Sequence, residues 1–350
     1  MKITDENSMR SLRKDEHVKY FLEKYNCGCS NGFEDVIIQN NSLPELNFED
    51  IDTSCTFMGK KIAFPLLINA MTGGTEYTGE INRQLAELSG KHNLPIATGS
   101  QTIALNDSKR EYTFRVIREI NRRGVVIANV SANSHYEKVL RAVAMLEADA
   151  VQLHLNVAQE IFMTEGDRNF RGIVDNISEI LRNVDIPVIV KEVGFGISHA
   201  VARRLAEIGV SYIDIGGKGG TNFIEIEGAR SGNKENAGPA ASFLEDWGIL
   251  AACSLLQCRS ASSRLNIISS GGIRKAEEIV KSICMGADMT AVGGRLLYEL
   301  LTNGFGAANK WLERLMYETR VLMLLVGAGD LRQLKKVPYL LKGTIKELCE

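Results

Sequence analysis

From about residue 62 the chain repeats one unit. A short apolar run ends in Gly, Ser, Thr or Asn, and an amphipathic stretch follows with the period of a helix. The apolar runs are 63–69, 94–98, 125–130, 150–155, 188–193, 212–215, 266–269 and 289–292. Helical patterns lie between them at 80–92, 108–122, 136–147, 172–183, 198–208, 246–258 and 274–285. Strands that alternate with helices at this spacing imply a parallel sheet. Eight such units predict a closed (β/α)8 TIM barrel. Several helices end on glycine or a short Ala-Asp junction, as at Gly209, Gly286 and Ala148-Asp149, where the next strand begins at once. The expected organisation is one domain, with an N-terminal extension (1–58), the barrel (about 62–302) and C-terminal helices (303–350). The stretch 216–239 is a long polar, Gly-rich insertion after the sixth strand, placed where barrel lids usually are.

Composition narrows the class. Hydrophobic residues make up 45% and charged residues 24%, ordinary for a soluble globular protein. A formal charge of -2 argues against a general nucleic-acid or membrane binder, so an anionic ligand needs a local cluster of cations. Residues 1–14 are polar and mixed in charge, unlike a signal peptide. The greasiest run, 321–326, is far too short to cross a bilayer. The seven cysteines form no zinc-like pattern, Cys27 and Cys29 being one residue apart, and read as free thiols. A cytoplasmic location is the expectation.

Active sites of TIM barrels lie at the C-terminal ends of the strands. In 151–156, polar residues alternate with aliphatic ones, so His154 and Asn156 face the mouth while Leu153 and Leu155 face the helices. A lone strand histidine is more often a satisfied core residue; Asn156, Gln159 and Glu160 beside it favour a site. Lys191 ends the fifth strand among valines, where it either snorkels to solvent or meets an electron-rich ring. Ser270-Gly271-Gly272 and Gly293-Gly294 follow the seventh and eighth strands, where barrels commonly hold a phosphate on backbone N–H groups. Gly216 to Thr221 follows a sixth strand and has the wrong spacing for a Rossmann fingerprint. On composition alone, Arg13-Lys14-Asp15-Glu16-His17 reads as an exposed, charged helix start.

Taken together, these segments resemble a known family. Arg13-Lys14-x-Glu16-His17, Ala70-Met71-Thr72-Gly73-Gly74, Gly99-Ser100-Gln101, Asn129, His154-x-Asn156-x-x-Gln159-Glu160, Lys191-Glu192-Val193-Gly194, Gly219-Gly220-Thr221, Asp246-Trp247-Gly248-Ile249 and Ser270-Gly271-Gly272 are similar to type 2 isopentenyl-diphosphate isomerases. The matches run in order from residue 13 to about 295. The resemblance implies FMN, NADPH to reduce it, and Mg2+. It also implies a small diphosphate substrate and a homotetramer or homo-octamer.

Barrel logic and resemblance assign the same roles. The flavin phosphate goes to Gly271, Gly272, Gly293 and Gly294 with Thr221. Ala70, Met71, Thr72, Ser100, Asn129 and Lys191 line its ring and ribityl chain. The resemblance alone implies that Arg13, Lys14, His17 and Gln159 take the substrate, with Arg230 a weaker candidate, and that Glu160 takes the metal. Gln159, His154, Asn156 and Lys191 carry the chemistry. The expected reaction interconverts isopentenyl and dimethylallyl diphosphate, with reduced FMN as the acid–base group and no net redox change. Thr102, where many members have Arg, and Leu250-Ala251, where Pro-Thr is common, are departures. The main rival is an FMN-dependent 2-hydroxy-acid oxidase, which needs a His and an Arg in the strand-six loop; 216–222 contains neither. An IMP-dehydrogenase-like enzyme needs a nucleophilic Cys there, and the next one, Cys253, falls in a predicted helix.

Overall fold

A computed structural model describes residues 2–25, 28–163, 166–230, 244 and 246–349. Cys27 and 231–243 of the strand-six insertion lie outside the described residues. Eight parallel strands close into a barrel: β1 (Leu66–Ile68), β2 (Ile96–Ala97), β3 (Val126–Ser131), β4 (Ala150–Leu155), β5 (Val188–Glu192), β6 (Tyr212–Asp214), β7 (Asn266–Ser269) and β8 (Met289–Val292). Closure is the pairing of β8 with β1, where Thr290 is opposite Leu66 and Val292 opposite Ile68. All eight predicted runs hold a strand, four of them shorter than the apolar run.

The strand period of two sorts the side chains. Residues such as Val126, Ala128 and Val130 of β3 point outward into the large core shared with the helices. Their neighbours fill the lumen in layers. The lowest layer is apolar and includes Leu67, Ala97, Ile127, Ala150, Ile189, Ile268 and Met289. Phe57 and Ile62, from the hairpin Cys55–Phe57/Lys60–Ile62, join this cluster. Two residues further along the strands the lumen turns polar, with Asn69, Asn129, Gln152, Lys191, Asp214 and Ser270, all buried. The mouth lies above that layer.

At the N-terminal ends of the strands one arrangement occurs twice. Asp149, just before β4, accepts from the N–H of Val126 at the start of β3 (2.9 Å) and from Arg118 (2.8 Å). Arg118 also caps helix-end carbonyls at Leu146 and Glu147, and Lys60 pairs with the other carboxylate oxygen. Asp288, just before β8, accepts from the N–H of Ile267 in β7 (2.8 Å) and from Arg259 (2.8 Å). Arg259 caps the carbonyl of Gly286, and Lys335 pairs with the other oxygen.

The helices depart from prediction in three places. The pattern at 108–122 splits into a 3-10 turn, Ser108–Arg110, capped by Asp107, and a helix, Tyr112–Ile120. The helix expected from residue 246 starts only at Ala251, because Gly248 has φ +110° and Leu250 bridges to Lys218. The helix Lys2–Lys24, in the first half of the N-terminal extension, was not legible as one element. A strand Val36–Ile38 also pairs antiparallel with Tyr339–Leu341, joining the two flanking segments. No helix among the described residues is long and apolar enough to cross a membrane.

Candidate active site

A cavity of about 310 Å³ opens at the C-terminal ends of the strands. Its wall contains Ala70, Met71, Ser100, Asn129, His154, Asn156, Gln159, Glu160, Lys191, Thr221, Gly271, Gly272, Gly293 and Gly294, with Arg13, Lys14 and His17 over it. Two expected residues stand behind this wall. Thr72 is buried and turns its carbonyl to the N–H of Gly99 (3.0 Å). Arg230 is bonded to Glu227 (2.8 Å) and lies 3.8 Å from Glu16, which directs its charge to carboxylates of the protein.

The catalytic wall comes from β4 and the short helix that follows it, Val157–Phe162. His154 Nδ1 lies 2.7 Å from Asn129 Oδ1. Burial first, then the charges of Lys14 and Lys191, push its imidazole down to about 3, so the ring is neutral. Asn156 donates to Glu160 Oε1 (2.8 Å), and the Asp167 N–H donates to Oε2 (2.8 Å), which fixes the carboxylate at the cavity edge. Lys191 Nζ donates to the carbonyl of Glu192 (2.7 Å) and sits 3.5 Å from Asp214.

The N-terminal helix spans the mouth because consecutive residues of it reach different loops. Val18 and Phe21 bury its apolar face. Lys14 Nζ donates to the Ser100 carbonyl after β2 (3.4 Å), and Asp15 accepts from Thr75 after β1 (2.6 Å). Arg13 approaches Met163 Sδ after β4 (3.9 Å), while His17 meets Glu227 after β6 (2.8 Å). This is not an exposed helix start. Burial and the neighbouring Arg13 pull the Lys14 ammonium down to about 7. A cation that loses its proton so readily here would be restored by an anion.

Sequence reasoning missed Glu227, which lies on the helix Phe223–Arg230 and is almost fully buried. It accepts from His17, from Gln159 Nε2 (3.0 Å) and from Arg230. Burial opposes its ionisation, but the His17 bond and charge, Arg230 and Gln159 outweigh it and hold the carboxyl at about 2. Burial in turn keeps His17 below its ordinary value, against the pull of the Glu227 carboxylate. The buried Asn69, Gln152 and Asp214 were missed too, although the strand alternation that marked His154 also picks out Gln152 and Asp214.

The loops after β6, β7 and β8 form a cradle that admits only glycine. At Gly271 (φ +107°) an added Cβ would stand 2.1 Å from the Gly217 carbonyl oxygen, and at Gly272 (φ +88°) 2.2 Å from that of Gly219. Gly293 caps the helix Gly294–Asn303, whose first N–H groups face this end of the cavity. Tyr25 Oη is buried in the same wall without a hydrogen-bond partner among the described residues, with Arg274 and Arg295 as the nearby cations. A phosphate with an attached ring system fits this set: backbone donors, cations, an unmet hydroxyl and a deep pocket ending at Lys191. No group of three His, Cys, Asp or Glu able to hold a metal occurs among the described residues; Glu160 and Asp167 are the carboxylates in the cavity wall.

Barrel, cradle and pocket define a class, the FMN-dependent α/β-barrel enzymes, and residues 108–338 match the model of the FMN-dependent dehydrogenase family. Solved structures agree at the level of fold. A lactate oxidase of Pediococcus acidilactici has a TM-score of 0.67 at 15% identity, covering 90% of this chain and 86% of that one. A mandelate oxidase variant has a TM-score of 0.63 at 16% identity, covering 89% and 90%. Sequence relatives are nearer. The isopentenyl-diphosphate delta-isomerase of Listeria innocua is 39% identical over 97% of this chain and 94% of its own length. That of a Geobacillus species is 40% identical over 95% and 94%, and that of Latilactobacillus sakei 39% over 98% and 97%. The chain belongs to the FMN-dependent isopentenyl-diphosphate delta-isomerase family.

Proposed function

We propose that this protein interconverts isopentenyl and dimethylallyl diphosphate without net redox change. The carrying observation is that Arg13 and Lys14, remote in sequence from the barrel, line the same cavity as His154, Gln159, Lys191 and the glycine cradle. Thus one end of the cavity suits the phosphate of the flavin and the roof suits a second anion. Between them lie His154, Asn156 and Gln159, polar groups placed beside the path of a C5 alkenyl chain.

Gly271, Gly272, Gly293, Gly294 and Thr221 hold the flavin phosphate, and Ala70, Met71, Ser100, Asn129 and Lys191 hold the ring. When bound and reduced, for which NADPH is the proposed donor, FMN supplies an electron-rich surface and an exchangeable proton at N5. Arg13 and Lys14 bind the diphosphate by charge-assisted contacts, and His17 supports them through Glu227. Glu160 would hold Mg2+ through its carboxylate, and the metal would supply positive charge against the diphosphate. Moving the double bond adds a proton at the terminal carbon and removes one from C2 of the substrate. Gln159, with its nitrogen fixed on Glu227, leaves its oxygen for the allylic end or a water beside it. His154 and Asn156 set the polarity of that side, and Lys191 neutralises negative charge under the ring. The enzyme is proposed to act in the cytoplasm as a homotetramer or homo-octamer.

The test is anaerobic turnover with dithionite-reduced protein and isopentenyl diphosphate, with NADPH absorbance followed in a parallel assay. Product formed without stoichiometric NADPH loss is the expected result. One NADPH consumed per product, or equal rates from oxidised protein, would sink the reading.

A further inference from the structure

The polar middle layer of the lumen forms one directed chain of hydrogen bonds that ends at His154. It starts at Asp214 on β6, which is fully buried and meets only donors. Its Oδ1 accepts from Ser270 Oγ and the Gly216 N–H, and its Oδ2 from Asn69 Nδ2 (2.6 Å), with Lys191 Nζ at 3.5 Å. Asn69 is therefore oriented from two sides. Its NH2 must face the carboxylate, and its Oδ1 must face the Ala70 N–H (2.9 Å), which can only donate. That oxygen also accepts from Gln152 Nε2 (3.0 Å). The Gln152 oxygen is then left for Asn129 Nδ2 (3.3 Å), and Asn129 Oδ1 faces His154 Nδ1 at 2.7 Å. Reversing any one amide sets donor against donor and acceptor against acceptor in a buried layer, where unmatched polar groups are costly.

We propose that Asp214, acting through Asn69, Gln152 and Asn129, is a positioning residue that fixes His154 as the Nδ1–H tautomer and turns a bare Nε2 toward the cavity. His154 Nε2 makes no hydrogen bond among the described residues, and His154 lines the cavity. The neutral ring can then accept at Nε2 but cannot donate there. This decides the direction left open by sequence: His154 Nε2 takes a hydrogen bond from substrate or water and gives none. That catalytic use rests on the proposed isomerase reading; the tautomer does not, and it is read without turnover.

The experiment is 15N NMR of the FMN-loaded, substrate-free protein labelled at its five histidines. The His154 signals are assigned by their loss in His154→Gln, and Nδ1 and Nε2 are distinguished by shift and by coupling to the ring protons. Near pH 7 the wild-type protein should show a protonated Nδ1 and a bare Nε2 at His154. Gln152→Glu should keep that pattern, because a carboxyl held protonated in this buried layer still donates to Asn69 Oδ1 and accepts from Asn129 Nδ2. Gln152→Met and Asp214→Asn, checked for fold and flavin content, should each give a second, Nε2–H population. A merely structural role predicts that Gln152→Glu and Gln152→Met behave alike. An Nε2–H wild-type ring, or a wild-type pattern retained in Gln152→Met or in Asp214→Asn, overturns the assignment.

Discussion

Single residues decide what the cavity can bind. Lys14 is the clearest case, since its ammonium is held near 7 rather than at its ordinary 10.5. A diphosphate needs the charged form, which is full below about 7 and lost as pH rises through it. The Michaelis constant for substrate should therefore climb on the alkaline side of neutrality, and Lys14→Arg, which stays charged, should flatten that climb. Rate profiles of both proteins from pH 6 to 9 check this; parallel profiles would remove Lys14 from the diphosphate. Arg13→Ala should raise the same constant roughly 10- to 100-fold while flavin stays bound, the range expected for one charge-assisted contact. Gly271→Val puts a side chain where the Gly217 carbonyl already stands, so the purified variant should be colourless or nearly so. For Glu160→Gln the expected change is a much higher Mg2+ concentration for half-maximal rate, read from a metal titration.

At the scale of elements, the strands were legible and the segments that dock on them were not. Alternation in 150–155 places both ends of β4 and sends His154 inward, because a two-residue period is a local property. Among the described side chains of the helix Lys2–Lys24, Val18 and Phe21 are the buried apolar ones, and charged residues beside them find partners far away in sequence. Composition reports the charges and not the partners, so Arg13 and Lys14 came to the site only by resemblance. Glu227 was invisible for the same reason: it belongs to an insertion whose helix forms against the N-terminal one. Its carboxylate joins the two elements through His17, Gln159 and Arg230. Glu227→Gln replaces an acceptor with a donor facing one of those donors. Weakened substrate binding with normal flavin content is the expected outcome, measured by kinetics and by the flavin-to-protein absorbance ratio. A variant with normal substrate affinity would show that the two helices hold the roof without it.

The whole molecule is built with a stable floor and a chemical mouth. Asp149 illustrates the floor. Burial opposes its ionisation, but Lys60, the Val126 N–H and Arg118 outweigh it, so its carboxyl lies below the ordinary value. That stabilisation is present above the ordinary carboxylate range and is lost as pH falls through the folded value. Asp149→Ala leaves Arg118 and the strand N–H without their acceptor and should cost roughly 2–4 kcal/mol at neutral pH. Denaturant melts would show this as a lower midpoint, with the gap to wild type narrowing in acid.

The recurrence of that floor at Asp288 bears on the plan of the molecule. Arg118, Asp149 and the Val126 N–H lie among the third and fourth strands; Arg259, Asp288 and the Ile267 N–H lie among the seventh and eighth. The two locks stand four strands apart in a barrel of eight, half a turn from each other, so one device braces the floor on opposite sides. Above them the copies part company. The third and fourth strands bring Asn129 and His154 to the cavity, the seventh and eighth its glycines. On the proposed reading the two halves share a floor and divide the labour: one would serve the proton chemistry, and its counterpart would hold the cofactor in place.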